Sequence, residues 1–426
     1  MSHQECRRQF SVKHLFWSAS CLPLLLGCGQ SAPVDSENIE AVATVTSSHH
    51  AEEALYASRF ARMGEAFATG KSLTTIYDTR ANVIGATGAD LSWLRAERDL
   101  KPETATRIDD YAAQMNSAAV IVMKSGAVIH ERYFGDHEAQ SLLNGKSLAK
   151  PLGVIAIGRA IQAGHIDSLD QKASDFLTEW RGTPKEEVSI RHLLAMRSGL
   201  HHQAADPSPD HIMNRAYLHP RHIEVILESY PQIAEPGERF DYSNANAELI
   251  SPIIERATGK KYETWIAEEI LQKIGAPGGE IWLNREGGIA HAGCCVMLPA
   301  RSFAKLGQLV MQNGIWDGDA LLPVGFVDQM LRTSPDHIHA GLGIYTGKPY
   351  IEVRGFHNPD KSTYGHYQSE PYKHQDLNLF DGSGNQVVYM SVAEELLILR
   401  MGSLPPKGEQ WDNAYLPNLI FDAQNN

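Results

Sequence analysis

The sequence predicts a mixed α/β fold of the α+β kind, in which one antiparallel sheet, built from both ends of the body, is flanked by helices and stands beside a mainly helical second lobe. Three observations predict it. Strand-like runs lie early, at Ala118–Lys124 and Ala127–Phe134, and again late, at Gly341–Tyr345, Leu377–Phe380, Gln386–Ser391 and Glu395–Met401. Between them, residues 165–340 read mainly as helices and loops punctuated by Pro184, Pro207, Pro209, Pro220, Pro231 and Pro236. An apolar helix from about Ser147 to Ala163 has Leu148, Leu152, Val154, Ile155, Ile157 and Ile161 around most of its circumference, as a helix buried on all sides does.

In chain order, Arg7, Arg8 and Lys13 precede a short apolar run, Leu15–Leu26, that is too short to span a bilayer comfortably. This reads as a signal segment over residues 1–27. Its end, Leu25-Leu26-Gly27-Cys28, resembles the bacterial lipobox, which makes Cys28 the expected lipid-bearing residue. Gly29 after it fits the pattern destined for an outer membrane facing the periplasm, so the expected location is a lipid-anchored one in the cell envelope. Residues 28–55 are rich in Ser, Ala, Glu and Thr without apolar periodicity and read as a flexible tether. An N-terminal extension, 56–105, carries a helix near Leu55–Phe67, and the body runs over 106–426. It opens with an amphipathic helix, Thr104–Met115. Ser125-Gly126 is a hairpin signal between the first two strands. Gly164 stops the apolar helix. A last amphipathic segment near Trp411–Phe421 packs on the sheet, with Trp411 in the core.

The chain has 426 residues, enough for a large core, and a formal net charge of −13 with no basic tract. That excludes a general nucleic-acid binder. Of five cysteines, Cys6 and Cys21 leave with the signal and Cys28 carries lipid. Cys294 and Cys295 remain; adjacent cysteines rarely bridge, so they read as small buried apolar residues. The histidines show no zinc-protease spacing; His201-His202, His337 and His339 read as loop residues. Gly145-Lys146-Ser147 and Gly70-Lys71-Ser72 lack the leading glycine of a phosphate loop, since Gln140 and Glu65 stand there. No metal or cofactor is expected.

The chemistry concentrates in Asn144-Gly145-Lys146-Ser147-Leu148-Ala149-Lys150. Residues three apart share a helix face, so the Ser147 hydroxyl and the Lys150 amine can meet. A desolvated lysine loses affinity for its proton and can take one from a serine. A helix start adds backbone N–H groups suited to an oxyanion. Pro151 lacks an N–H and is tolerated only in a first turn, which places the helix start beside Ser147.

Further stretches support the same reading: Gly164–Asp170, Ile190–Leu200, Pro236-Gly237-Glu238-Arg239-Phe240-Asp241-Tyr242-Ser243-Asn244, Ala292–Gly307 and Asn313–Gly318. With Ser147-x-x-Lys150 they resemble the serine hydrolases of the β-lactamase-related family, over about residues 110–402. That family includes class C β-lactamases, D-Ala-D-Ala peptidases, esterases and 6-aminohexanoate-oligomer hydrolases. The resemblance implies the β-lactamase/transpeptidase-like fold and an acyl-enzyme on Ser147. Lys150 and Tyr242 would move protons, and Asn244 would bind the substrate carbonyl or amide. The Ser147 N–H would form half of an oxyanion hole.

The family's third element, Lys-Thr-Gly, has no counterpart cation here. The corresponding stretch is Gly382-Ser383-Gly384-Asn385-Gln386, before the strand that follows it. Ser383, Gly384, Asn385 and Gln386 are the expected substrate-binding residues, with Asn385 or Gln386 offering the second oxyanion N–H. Without the cation that holds a substrate carboxylate, the expected reaction is ester or amide cleavage of a small molecule. The alternatives are a β-lactamase or D-Ala-D-Ala carboxypeptidase, and a catalytically silent envelope-binding lipoprotein.

Overall fold

The computed structural model describes residues 36–69, 73–88, 96, 100–202, 206–355 and 365–425. The signal segment, Cys28 and the start of the tether lie outside them. The chain divides into two compact units, Met1–His49 and His50–Asn426. The described part of the first is helical. One helix, Ser36–Thr69, takes the place of the flexible tether expected to residue 55. Its Ala- and Glu-rich stretches are good helix formers even without a clean apolar stripe.

The 56–105 extension is woven into the second unit instead of preceding it. Arg59 is fully buried and donates from Nη1 to the carbonyls of Leu218 at 3.1 Å and Asn284 at 2.8 Å. Its other side pairs with Asp78 at 2.6 Å, and the guanidinium lies 5.0 Å from the Trp282 ring centroid. Strand Arg80–Val83 then pairs antiparallel with Gly279–Trp282.

The central sheet has six antiparallel strands. In chain order they are β1 Ser117–Lys124, β2 Ala127–Tyr133, β3 Tyr345–Thr346, β4 Asn378–Gly382, β5 Gln386–Ser391 and β6 Leu396–Gly402. Their order across the sheet is β2-β1-β6-β5-β4-β3, so the two chain ends meet at the β1–β6 pair. Side chains alternate across a strand. Ala119, Ile121 and Met123 of β1 enter one core, while Val120 and Val122 enter the other. Helix Ala300–Met311 covers the first face; Pro102–Gln114 and Tyr415–Asn425 cover the second. Coverage on both faces is why β1 reads as an unbroken apolar run. Trp411 is in the core, with Nε1 donating to Tyr389 Oη at 3.3 Å.

The strand expected at Gly341–Tyr345 shrinks to β3, because Gly343 takes a left-handed φ of 64° and turns the chain. A second sheet was not legible in the sequence. It joins Arg80–Val83, Gly279–Trp282, Val296–Leu298 and Leu143–Asn144 in that order, all too short to show a period. Cys294 and Cys295 are buried as expected, but they form a disulfide, which corrects the unlinked reading. Cys295 has a left-handed φ of 71°, so the two neighbouring side chains do not point to opposite sides as in an extended strand.

Arg400 on β6 is fully buried and donates to five oxygens: Ser117 Oγ at 2.9 Å, Met115 O at 2.8 Å, Ser403 O at 2.9 Å, Gly384 O at 2.9 Å and Asn385 O at 3.0 Å. Replacing it by methionine strands these acceptors in the core. Arg400→Met should lower stability by about 3 kcal/mol or more; an unchanged denaturant midpoint would refute this role. Acid should also destabilise the fold. Burial holds the imidazoles of His222, His337 and His366 down to about 4 each. In the unfolded chain they take up protons near pH 6.5. Between those values the unfolded state binds more protons, so stability is lost as pH falls from about 6.5 to 4. Thermal melts at pH 7 and pH 5 read the effect, and equal midpoints would contradict it.

Candidate active site

The apolar helix begins as the sequence requires. A single 3₁₀ turn, Lys146–Leu148, leads into Ala149–Gln162, with Pro151 in the first turn. Lys146 has a φ of 51°, uncommon for a residue with a side chain, and its N–H is held by Asn144 Oδ1 at 2.9 Å. Burial also pushes the Lys146 ammonium down to about 8. Strain of this kind beside a reactive group is a mark of functional sites.

Ser147 Oγ lies 2.9 Å from Tyr242 Oη and accepts from Lys150 Nζ at 3.2 Å. Lys150 is buried, with 7% of its surface exposed. An ammonium has three N–H donors. The other two directions are taken by Asn244 Oδ1 and the Gly293 carbonyl, each at 2.7 Å. Lys150 Nζ also lies 5.0 Å from the Tyr242 ring centroid. The four residues Ser147, Lys150, Tyr242 and Asn244 are thus brought together from two segments 92 or more residues apart in the chain, and hydrogen-bonded to one another.

Local packing explains the loop that delivers Tyr242. Gly237, at φ 83°, donates its N–H to Arg197 O at 2.7 Å, and Arg197 Nη2 returns a bond to Gly237 O at 2.7 Å. Asp336 accepts from the Phe240 N–H at 2.6 Å and pairs with Arg197. The Asp241 N–H donates to Met196 O at 2.8 Å. The stretches 190–200 and 236–244, singled out separately in the sequence, are therefore one packed unit. Ser198 and Asn246 close it with a buried side-chain hydrogen bond.

The third element is placed differently from the expectation. Gly382 ends β4, and a Cβ built on it would lie 3.3 Å from Ser147 N and 3.1 Å from Gly145 O. Because β3 pairs only with Asn378 and Leu379, the rest of this β4 edge faces the serine turn. Ser383, Gly384 and Asn385 form the β4–β5 turn, and Ser383 is exposed. Gln386 is buried and turned inward, donating to Gly384 O at 2.9 Å and Gly402 O at 2.7 Å. Its side chain clamps the hairpin and is not among the residues that line the cleft. Asn385 and Gln386 do not supply the strand edge nearest Ser147; residues up to Gly382 do.

The cleft is lined by Ser147, Lys150 and Tyr242 on one side and by Leu194, Met196, Phe240, Ile344, Tyr345 and Asp381 around them. Asp381 precedes Gly382 on β4. Arg354, from the hairpin Val353–Gly355 and Gly365–Tyr367, pairs with it, and His366 Nε2 lies 3.1 Å from its Oδ1. Arg354 is stacked 4.4 Å from the Tyr345 centroid. A cation does therefore approach the third element, but from a distant loop and already matched by a carboxylate. His201 and His202 stack on each other at 4.5 Å and are not among the cleft-lining residues. His337 and His339 are in a loop as expected, yet buried.

Sequence reasoning missed the Gly293 carbonyl, Asp381, Arg354 and Tyr345. Gly293 lies inside a stretch already singled out, 292–307, but a backbone acceptor has no side-chain signature. Arg354 comes from a loop without periodicity.

The chain is similar to known proteins in sequence and in fold. The β-lactamase family model fits residues 104–305. Just under half of the chain thus matches the β-lactamase family. The chain is 23% identical over 243 residues to the 6-aminohexanoate-dimer hydrolase of Paenarthrobacter ureafaciens, covering 53% of this chain and 61% of that protein. It is 26% identical over 189 residues to penicillin-binding protein 4* of Bacillus subtilis, covering 40% and 39%. The chain thus spans about three fifths or less of the length of these relatives. Among solved structures, a Bacillus anthracis protein assigned as a 6-aminohexanoate-dimer hydrolase superposes with a TM-score of 0.62 at 20% identity, over 83% of this chain and 90% of the other. EstCE1, described as a hydrolase with promiscuous acyltransferase activity, gives 0.55 at 14% identity over 75% and 97%. These likenesses confirm the β-lactamase/transpeptidase-like fold.

Gly382 offers a direct check on the geometry. Gly382→Ala should place a methyl group against the Ser147 N–H and cut fluorophosphonate labelling of Ser147 by about tenfold or more, with the melting midpoint nearly unchanged. Labelling at the wild-type rate would show that the β4 edge does not border the reactive position.

Proposed function

We propose that the protein is a serine hydrolase that cleaves an ester or amide bond of a small, uncharged substrate through an acyl-enzyme on Ser147. The observation that carries this reading is the contact of Ser147 Oγ with both Tyr242 Oη at 2.9 Å and Lys150 Nζ at 3.2 Å. A serine so placed can pass its proton to the Tyr242–Lys150 pair as it attacks the substrate carbonyl. The tetrahedral oxyanion is met by the Ser147 N–H and by the β4 edge ending at Gly382. The same pair returns the proton to the leaving alcohol or amine. Water, deprotonated in turn, hydrolyses the acyl group and restores the serine. Asn244 accepts from Lys150 and keeps its ammonium pointed at Ser147.

Uncharged substrates are favoured because the cations found near the third element among the described residues are committed, Arg354 to Asp381 and Arg400 to backbone oxygens. A substrate carboxylate there would face Asp381 without a free counter-charge. That argues against β-lactams and D-Ala-D-Ala peptides. The relatives named as 6-aminohexanoate-dimer hydrolase and EstCE1 support the ester and amide reading. The Leu25–Cys28 pattern supports export and lipid attachment at Cys28, with the protein held in the cell envelope; loss of the lipid-modified mass in Cys28→Ser tests that.

Two measurements test the chemistry. A panel of p-nitrophenyl butyrate, nitrocefin, a D-Ala-D-Ala peptide and a linear aminohexanoate dimer should show turnover of the uncharged ester, absent in Ser147→Ala, and slower turnover of the three substrates that carry a carboxylate. Nitrocefin turnover well above that background would favour a β-lactamase instead. Tyr242→Phe and Lys150→Ala should each reduce kcat by about 10²–10⁴-fold; retention of full activity in either would remove it from the mechanism.

A further inference from the structure

Behind Lys150 lies a second cluster of polar groups, fully enclosed. Glu248, His222 and His291 are each at most 1% exposed. Glu248 Oε2 lies 3.5 Å from His222 Nε2 and 3.4 Å from His291 Nδ1. None of their side-chain nitrogens or oxygens makes a hydrogen bond among the described residues. A carboxylate in such a place is expensive to bury and calls for a purpose. The three side chains are also a donor set for a divalent cation. However, the imidazoles lie face to face, 4.0 Å apart and 13° from parallel, in a stack continued by Trp282 at 3.9 Å. Ring nitrogens coordinate along the ring plane, and near-parallel stacked planes do not converge on one ion.

The cluster's position gives the better account. Glu248 is one helical turn after Asn244, on the short helix Asn244–Glu248. Its Oε1 lies beside Gly293, where an added Cβ would come within 2.8 Å of it, so any larger residue there would have to displace the carboxylate. His291 lies two residues before Gly293 and is held in the ring stack. Glu248 therefore shares a helix with Asn244 and borders Gly293, the two residues that supply Asn244 Oδ1 and the Gly293 carbonyl to Lys150. We infer that Glu248, braced by His222 and His291, is a positioning residue that keeps these two acceptors in register around the Lys150 ammonium. This inference rests on the hydrolase reading above. Burial pushes the Glu248 carboxyl up, but His291 and His222 together outweigh it and hold it at about 2, so it is a negative charge at working pH. Beyond the two histidines, Tyr77, Tyr217 and Tyr262 lie within reach of that charge, and Glu224 lies behind His222.

The test is the rate of fluorophosphonate labelling of the full chain as a function of pH. Glu248→Gln keeps the shape and removes the charge. Its maximal labelling rate should fall about ten- to a hundredfold, as small misplacements of a catalytic group do. Loss of a negative charge disfavours protonated groups in the site, so the acid limb should move to lower pH by about half a unit or more. A residue that only fills space would leave that limb in place. Glu248→Asp keeps the charge but draws it back from Gly293; it should label slowly with the limb unmoved, and it decides the matter if Glu248→Gln does not fold. Wild-type labelling in a folded Glu248→Gln or in Glu248→Asp would overturn the inference, as would one equivalent of bound zinc in the purified protein. A wild type that resists labelling where a class C β-lactamase reacts would instead bring down the hydrolase reading, and this inference with it.

Discussion

The structure depends on how one buried ammonium is satisfied. Lys150 sits at the centre of the unit with three N–H donors and finds three oxygens, from the serine, from Asn244 and from the Gly293 backbone. Leaving a buried charge unpaired would cost several kcal/mol. Each acceptor belongs to a different segment: the serine turn, the short helix after Tyr242, and the loop entering Val296–Leu298. Folding that satisfies Lys150 therefore also assembles the site. Tyr242 follows, because it is two residues from Asn244 and its phenol falls beside Ser147.

Around this centre, other buried charges act as rivets between elements distant in sequence. Arg59 ties the N-terminal helix to Asp78 and to carbonyls at 218 and 284. Arg400 ties the β4–β5 turn to the start of β1 and the end of β6. Arg354 ties a surface hairpin to Asp381 at the cleft. Each guanidinium replaces water with several carbonyl or carboxylate partners, which is how a charge is tolerated inside. The consequence for function is rigidity where it matters: the turn after Gly382, the loop before Tyr242 and the serine turn are all fixed by bonds that cross the fold.

Much of this was legible beforehand, for identifiable reasons. The apolar helix after Ser147 announces its burial through its composition, and Pro151 marks its start because proline has no N–H to give. Strands β1, β2, β5 and β6 were found because their apolar runs are long and bounded by turn residues. Strands of two to four residues, such as Leu143–Asn144 and Arg80–Val83, have no period to detect. Of the helix Ser36–Thr69 only the part near Leu55–Phe67 was expected; the first half was missed because its residues favour a helix without forming an apolar stripe. The disulfide between Cys294 and Cys295 was missed because extended neighbours point apart, and only the backbone turn at Cys295 changes that.

By itself the sequence determined the reactive groups: a serine and a lysine three residues apart on one helix face, and a tyrosine and an asparagine after a Pro-Gly turn. Those follow from chemistry and helical spacing, which are local. Tertiary structure alone decided what surrounds them. It chose Gly293 as the second anchor of Lys150, turned Gln386 into the sheet, brought the end of β4 to Ser147, and set Arg354 against Asp381. A backbone carbonyl has no side chain to read, and an ion pair between a loop and a strand 27 residues apart obeys no local period. Only the packed fold brings such groups within bonding distance.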